Sequence, residues 1–535
     1  MLHHRVVFEQ HIDIDLGIDL SREACHRIFQ TRDPRYDGRI FVGVRTTGIY
    51  CRPICPARTP KLENCIYYLS AAAAQEAGFR PCLRCRPEVS PDLASWRGTS
   101  NTVLRGLDLI AEGALDGDEN TVDGLATRLG VGERQLRRLF IQHLGASPVA
   151  VAQTRRLLFA KQLLHDTRLP MTEIALAAGF GSIRRFNATF QQLYQRPPRE
   201  LRRTLKEDLP ITAEDAVLLR IGYRPPYDWD SLLKFFAARA IDGVELVENS
   251  TYKRTVEYEG RCGVLQVTNH PARNQLIVSV RFACVRALSG IVRRVRRLFD
   301  TGADIEAISG HLSKDPFLAP LVARRPGLRT AGGWDGFEVA VRAILGQQIT
   351  VTGARQLAGR LTAAFGKRIG TDISNDHRLS HIFPTAYEIA NADLASFGIP
   401  RSRAVALSTL ASAAVSDPHL FTRGQSMDEA VARFRALPGV GEWTAQYIAL
   451  RALRETDAFP ASDLGLLQGI ASEFGRRPEP AELLRRAESW RPWRAYAAQH
   501  LWASYGDVKE SNNAIGTTVF HRQDSHAHRP DVNSL

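Results

Sequence analysis

No stretch of this 535-residue sequence stays apolar for the roughly 20 residues that cross a bilayer, and no charged-then-apolar leader opens it. A membrane-spanning or secreted protein is therefore not expected. Cysteine is scarce, eight in the whole chain, which is too few for a disulfide scaffold at this length. Acidic residues are also short, 57 Asp and Glu against 70 Lys and Arg, for a net charge of +13. That balance disfavours an acidic solvating chain and suits a polyanionic partner, nucleic acid or an acidic lipid surface. The remaining composition, 44% hydrophobic and 24% charged, is that of folded protein, and the length calls for several cores rather than one. A cytoplasmic, nucleoid-associated bacterial address is expected.

Four of the few cysteines are arranged with purpose. Cys51 and Cys55 are separated by three residues, Cys82 and Cys85 by two, with 26 residues between the pairs. Two short thiolate hooks brought together make the tetrahedral sulfur set that zinc takes in a closed site. Cys25, Cys65, Cys262 and Cys284 stand alone and read as small buried apolar residues or free thiols.

The surplus of positive charge is local. From Gly124 to Thr204 there are fourteen Lys or Arg against four Asp or Glu, and the same stretch repeats itself. Ala126, Gly130 and Val131 correspond to Ala175, Gly179 and Phe180 at an offset of 49, and Leu136 and Phe140 to Phe186 and Phe190 at 50. Each half reads as helix, Gly-containing turn, helix, with a connecting helix around Gln153 to Leu164. The second helix of each unit is placed to enter a major groove, presenting Arg134, Gln135 and Arg138 in the first unit and Ser182, Arg184 and Arg185 in the second. Leu136, Phe140, Phe186 and Phe190 are expected in the core.

Beyond a polar stretch around Lys206 to Asp215 the pattern changes. Alternation such as "RNQLIVSVRF" predicts a small antiparallel sheet, and the chain from about Gly336 to Gly506 reads as mostly helical. In "LPGVGEWTAQYIALRAL", Leu437 to Leu453, Pro438, Gly439 and Gly441 form a tight turn between two helices, where small residues let backbone amides approach a phosphate. Asp463 follows 22 residues after Gly441 and is both a potential helix N-cap and a potential catalytic carboxylate.

Three resemblances sharpen these readings. "DGRIFVGVRTTGIYCRPICPARTP", "ENCIYY" and "EAGFRPCLRCRP", within Asp33 to Pro87, resemble the amino-terminal domain of Ada-type DNA alkylation-response proteins. The resemblance implies one zinc ion, structural and catalytic, with Cys51 as the thiolate that accepts a methyl group from a methylated DNA phosphate. Cys55, Cys82 and Cys85 are its companion ligands, and Thr47, Arg58 and Arg80 face the damaged backbone. The duplicated unit, about Thr102 to Arg203, resembles the DNA-binding domain of AraC-type activators. "YRPPYDW", "RPGLRTAGGWDGFEVAVRAILGQQIT", the hairpin stretch and "SWRPWRAYAAQHLW", about Ile211 to Gly506, resemble AlkA-type 3-methyladenine DNA glycosylases of the helix-hairpin-helix superfamily. That likeness implies Asp463 as the catalytic carboxylate and Trp443, Tyr447 and Trp502 as pocket aromatics. It also puts Gln348 at the position of the wedge that replaces a flipped base, where the best-known form of the family is apolar. Bifunctional relatives carry a Lys where Trp443 stands, so base removal without strand cleavage is expected. No iron-sulfur cluster is expected, and no Pro-Cys-His-Arg motif for a second alkyl-acceptor domain occurs.

The expected architecture is multidomain α+β. Residues 1–20 are unassigned, 21–90 a small zinc domain, and 100–204 an all-α double helix-turn-helix domain. Residues 211–325 form a small antiparallel sheet domain, 326–507 an all-α helix-hairpin-helix glycosylase domain, and 509–535 a disordered tail. Expected partners are double-stranded DNA, both alkylated and promoter, and RNA polymerase; the chain is expected to be a monomer. Two other classes use the same motifs: an activator whose glycosylase-like half is an inert DNA-binding appendage, against which Asp463 argues, and a repair enzyme merely anchored by its helix-turn-helix pair.

Overall fold

The strand Phe41–Val44 (β1) is buried at all four positions, because both faces of the sheet it belongs to are covered. Phe41 joins Tyr50, Tyr68 and the helix Ala71–Glu76 on one face, while Val42 joins Phe29 of the helix Arg22–Thr31 and Tyr67 on the other. Alternate residues of a strand point to opposite faces, so one short strand serves two cores. The computed structural model describes residues 21–91, 101–116, 120–202, 216–394, 397–422 and 426–507. The expectations placed on 1–20, on the polar stretch near 206–215 and on the 509–535 tail lie outside the described residues.

In the first domain β1 pairs antiparallel with Ile49–Cys51 (β2) and Cys65–Tyr68 (β3), and β2 pairs parallel with Arg80–Pro81 (β4), giving the order β3-β1-β2-β4. Gly43 of β1 has no room for more: a Cβ there would meet the rings of Phe79 and Tyr68 at 2.9 Å.

The basic stretch forms two helix pairs, Val122–Arg128 with Glu133–Leu144 and Met171–Ala177 with Ile183–Tyr194, joined by the longer helix Pro148–Asp166. The matching turns hold Gly130 and Gly179 at φ +69° and +82°, a left-handed conformation that favours glycine. Leu136, Phe140, Phe186 and Phe190 are fully buried, as the apolar spacing predicts.

Five antiparallel strands follow: Val217–Gly222 (β5), Glu245–Glu248 (β6), Thr251–Tyr258 (β7), Arg261–His270 (β8) and Gln275–Phe282 (β9), in the order β5-β9-β8-β7-β6. Leu276, Val278 and Val280 of β9 are fully buried with their neighbours outside, the period-2 pattern visible in the sequence. Two-residue turns at Asn249–Ser250 and Glu259–Gly260, all with positive φ, match the twist of the hairpins they close. The helical remainder packs around two separate cores, one around the helices Gly336–Leu345, Arg401–Ser416 and Glu442–Arg451, the other around Trp490, Tyr496 and Leu501.

Charged side chains fasten the first domain to the rest. Lys161, from the connecting helix, has no exposed surface and donates to the Glu88 carboxylate at 2.6 Å and to the Cys82 carbonyl at 2.9 Å. Arg86 reaches both Glu88 at 3.0 Å and Asp166 at 2.8 Å, and Arg220 of β5 completes Asp166 at 2.5 Å. Burial would raise the Glu88 carboxyl, but the adjacent Lys161 ammonium and its other cationic neighbours hold it well below the usual carboxylate range. In the same domain Arg39 pairs with Asp304, both buried, and Arg224 donates to the Asp37 carbonyl at 2.9 Å.

Candidate functional site

The first site forms where β2 ends. Cys51 closes the strand, and the parallel ladder to β4 brings Cys82 alongside, its amide donating to the Tyr50 carbonyl at 3.0 Å. The sulfurs of Cys51, Cys55, Cys82 and Cys85 all lie within 4.8 Å of one another. A tetrahedron with metal–sulfur bonds of about 2.3 Å needs sulfurs about 3.8 Å apart, so the cluster suits zinc. Backbone amides point at two of them, Arg84 N to Cys82 Sγ at 3.3 Å and Arg52 N to Cys85 Sγ at 3.4 Å, an arrangement that stabilises anionic sulfur. Burial pushes the Cys85 thiol up, whereas hydrogen bonds from neighbouring thiols, Cys51 first, pull Cys82 down. The buried Arg52 guanidinium holds the second hook in place through the carbonyls of Cys85, 2.9 Å, and Arg86, 3.2 Å, while its other edge grips Asp37.

The four cysteines are not equally covered. Cys55, Cys82 and Cys85 are 8%, 6% and 7% exposed, and Cys51 alone is half-buried. Of the residues expected to face the DNA backbone, Thr47 is exposed in the β1–β2 turn, its amide donating to Val44 O at 3.1 Å; Arg80 sits opposite Ile49 in the ladder, and Arg58 is exposed three residues after Cys55.

On the helix-turn-helix pair, Arg134, Gln135, Arg138, Arg184 and Arg185 are exposed on the second helix of each unit. Ser182 is exposed too, but its hydroxyl accepts from Arg185 N at 3.2 Å and caps the helix.

The last site lies between the two helical cores. Helix Met427–Arg435, the turn through Gly439 and Gly441, and helix Glu442–Arg451 form the hairpin. Gly439 has φ +81°, and a Cβ there would stand 2.5 Å from that of Ala406. Gly439→Ala is expected to destabilise this domain by about 1–3 kcal/mol, read as a lowered denaturant midpoint for its transition. Gln347 braces the turn, donating to Gly439 O at 3.1 Å and Thr444 Oγ1 at 3.0 Å, and so sets its neighbour Gln348, exposed with φ +58°, on the tip beside the hairpin.

Asp463 caps the helix Leu464–Gly469, Oδ1 accepting from Leu466 N at 3.1 Å. The same carboxylate accepts from two indoles, Trp443 Nε1 to Oδ2 and Trp502 Nε1 to Oδ1, each 2.8 Å. Trp443 stacks on Tyr447 with centroids 5.2 Å apart, and Tyr447 meets Trp502 edge-on at 6.4 Å. The sequence-predicted carboxylate and aromatics thus converge in one place. Phe235, from helix Trp229–Arg239, and Arg451 also belong here: the Arg451 guanidinium lies 4.5 Å from the Phe235 ring and 5.1 Å from Trp502. Sequence reasoning missed both, since Phe235 is one apolar residue of an ordinary amphipathic helix and Arg451 ends the helix like any C-terminal cation.

No helix among the described residues is long and apolar enough to cross a membrane. Residues 24–88 match the metal-binding domain of Ada, residues 125–204 a helix-turn-helix domain, and residues 218–335 the AlkA N-terminal domain. A probable bifunctional transcriptional activator/DNA repair enzyme AlkA of Mycobacterium tuberculosis is 38% identical over 90% of this chain and 96% of its own. DNA-3-methyladenine glycosylase 2 of Escherichia coli is 35% identical over 54% of this chain and 97% of its own, and the bifunctional activator and repair enzyme Ada of the same organism is 36% identical over 28% and 40%. A solved 3-methyladenine DNA glycosylase from Archaeoglobus fulgidus covers 53% of this chain and 97% of its own at 22% identity and a TM-score of 0.47. With a four-sulfur zinc site, a paired helix-turn-helix and a hairpin-plus-carboxylate pocket in one polypeptide, the chain belongs to the family of Ada/AlkA-type bifunctional transcriptional activators and DNA repair enzymes.

Proposed function

We propose that the chain senses methylphosphotriesters in DNA through Cys51, binds promoter DNA through its helix-turn-helix pair, and removes alkylated bases such as 3-methyladenine through Asp463. Zinc held by the four sulfurs keeps them as thiolates, the nucleophilic form. The Cys51 sulfur attacks the methyl carbon of the triester; an S–C bond forms, the C–O bond breaks, and the phosphate leaves as an anion. The product is a thioether, so each molecule reacts once. Support comes from Cys51 being the least covered residue of the four, and from the exposure of Thr47 and Arg58 on the segments that flank it.

In the base-excision half, Trp443, Tyr447 and Trp502 offer aromatic faces to a flipped base, and the Asp463 carboxylate stabilises positive charge on the sugar or orients the attacking water. Gln348 is the wedge, with Gly439 and Gly441 on the phosphate backbone. The position of the bifunctional lysine is Trp443, which has no amine for a Schiff base, so the enzyme is a monofunctional hydrolase. This half contains only Cys262 and Cys284, short of an iron-sulfur ligand set. The protein works as a monomer, and RNA polymerase is its partner at promoters. The observation that carries the reading is the Asp463 carboxylate, held on both oxygens by indoles in an aromatic pocket. Incubating the protein with methylated duplex DNA is expected to release free methylated bases and to add one methyl to the peptide bearing Cys51, read by mass. Release with an unmodified Cys51 peptide removes the sensor; a modified peptide without released base favours the activator with an inert appendage.

A further inference from the structure

Arg451 is 3% exposed, and its hydrogen-bond acceptors are neutral: Nη1 donates to Ala331 O at 2.8 Å and Nη2 to Gln499 Oε1 at 3.0 Å, while Nε is buried without an acceptor. Among the described residues no carboxylate pairs with it. Burial, with Arg239 and Arg454 nearby, lowers its pKa to about 10, so it stays charged at neutral pH. Its guanidinium lies 4.5 Å from Phe235, 5.1 Å from Trp502 and 5.7 Å from Tyr447, against the same rings that line the base pocket.

A pocket of electron-rich rings attracts a cationic base. A fixed cation behind those rings opposes it, both by direct repulsion and by drawing π density towards itself. We propose that Arg451 sets the charge preference of the base pocket, its unpaired guanidinium offsetting the attraction of the aromatic wall for cationic bases so that neutral damaged purines compete for entry. The inference rests on the base-excision reading of the same pocket. A unit charge about 8 Å from a stacked base, at an effective dielectric of about 20, changes the preference for a cation by roughly 10- to 30-fold.

Gln499 gives a way to cancel the charge without removing the arginine. Gln499→Glu places a carboxylate 3.0 Å from Nη2 in nearly the same shape. Single-turnover base release would be measured for the full chain on duplexes carrying 7-methylguanine, which is cationic, or hypoxanthine, which is neutral. The ratio of the two rates is expected to rise about tenfold in Q499E and in R451M, and to stay within about twofold of wild type in R451K, which keeps the charge. A ratio unchanged in Q499E and R451M, or shifted equally in R451K, overturns the inference while leaving base excision standing. A wild-type chain that releases neither base overturns the excision reading and this inference with it.

Discussion

Replacing Asp463 with Asn is expected to slow release of 3-methyladenine by about 10³-fold while leaving the protein folded and bound to DNA. Capping and the proposed catalysis ask different things of this side chain. As an N-cap it needs only an oxygen to accept from Leu466 N, and Asn caps helices as well as Asp does. The amide oxygen of the substituted side chain can also keep the bond from Trp502. What the substitution removes is the negative charge and the second acceptor, since an amide NH2 would face the Trp443 N–H. That local mismatch costs about 1–3 kcal/mol, too little to unfold the domain. Base release under single-turnover conditions, run beside a thermal melt, checks the result; a loss under tenfold with normal melting leaves the residue as a cap and nothing more.

Among the cysteines, Cys51→Ala is expected to abolish methyl acceptance in a folded protein, whereas Cys85→Ala is expected to cost zinc and the fold of the first domain together. The difference follows from burial: Cys85 is 7% exposed, accepts from Arg52 N and anchors the hook that Arg52 clamps, while Cys51 ends a strand and is less completely covered. Zinc content and methyl transfer from a methylphosphotriester duplex distinguish them. Transfer retained in C51A would assign the acceptor to another sulfur. On the proposed reading, methylation of Cys51 would also remove one negative charge beside the DNA. For a phosphate about 10 Å away at an effective dielectric near 20 that is on the order of 1.7 kcal/mol before screening, so promoter affinity should rise on methylation and the gain should shrink with added salt.

What could be seen in the sequence was what is local. Metal hooks, a repeat at an offset of 49 to 50, and a hairpin followed by a carboxylate each occupy a short stretch whose residue types are dictated by chemistry, and the four-cysteine cluster, the two helix pairs and the meeting of Asp463 with its aromatics are all in the structure. What escaped was set by distant partners. Phe235 reaches the pocket from over 200 residues before Trp443, and Lys161 contacts Cys82 from 79 residues away; nothing in their neighbours marks them. The bracing of the hairpin turn by Gln347 leaves no trace in residue type, and the use of the Ser182 hydroxyl as a cap is settled by backbone direction rather than by composition.

The contacts of Lys161 bear on how such a chimera hangs together. Glu88 and Arg86 come from the metal-binding portion, Lys161 and Asp166 from the connecting helix, and Arg220 from the neighbouring sheet; Arg86 pairs with Glu88 inside its own portion, but Lys161 to Glu88, Arg86 to Asp166 and Arg220 to Asp166 all cross between portions. Separating the portions breaks the cross-junction pairs of Lys161, Arg86 and Arg220, whereas deleting one partner in the intact protein leaves the other charge buried without a counter-ion, a penalty of about 3–5 kcal/mol for a fully buried pair. The protein is thus no string of interchangeable beads: modularity ends at this junction, and pieces cut from it inherit a deficit that the intact polypeptide does not have.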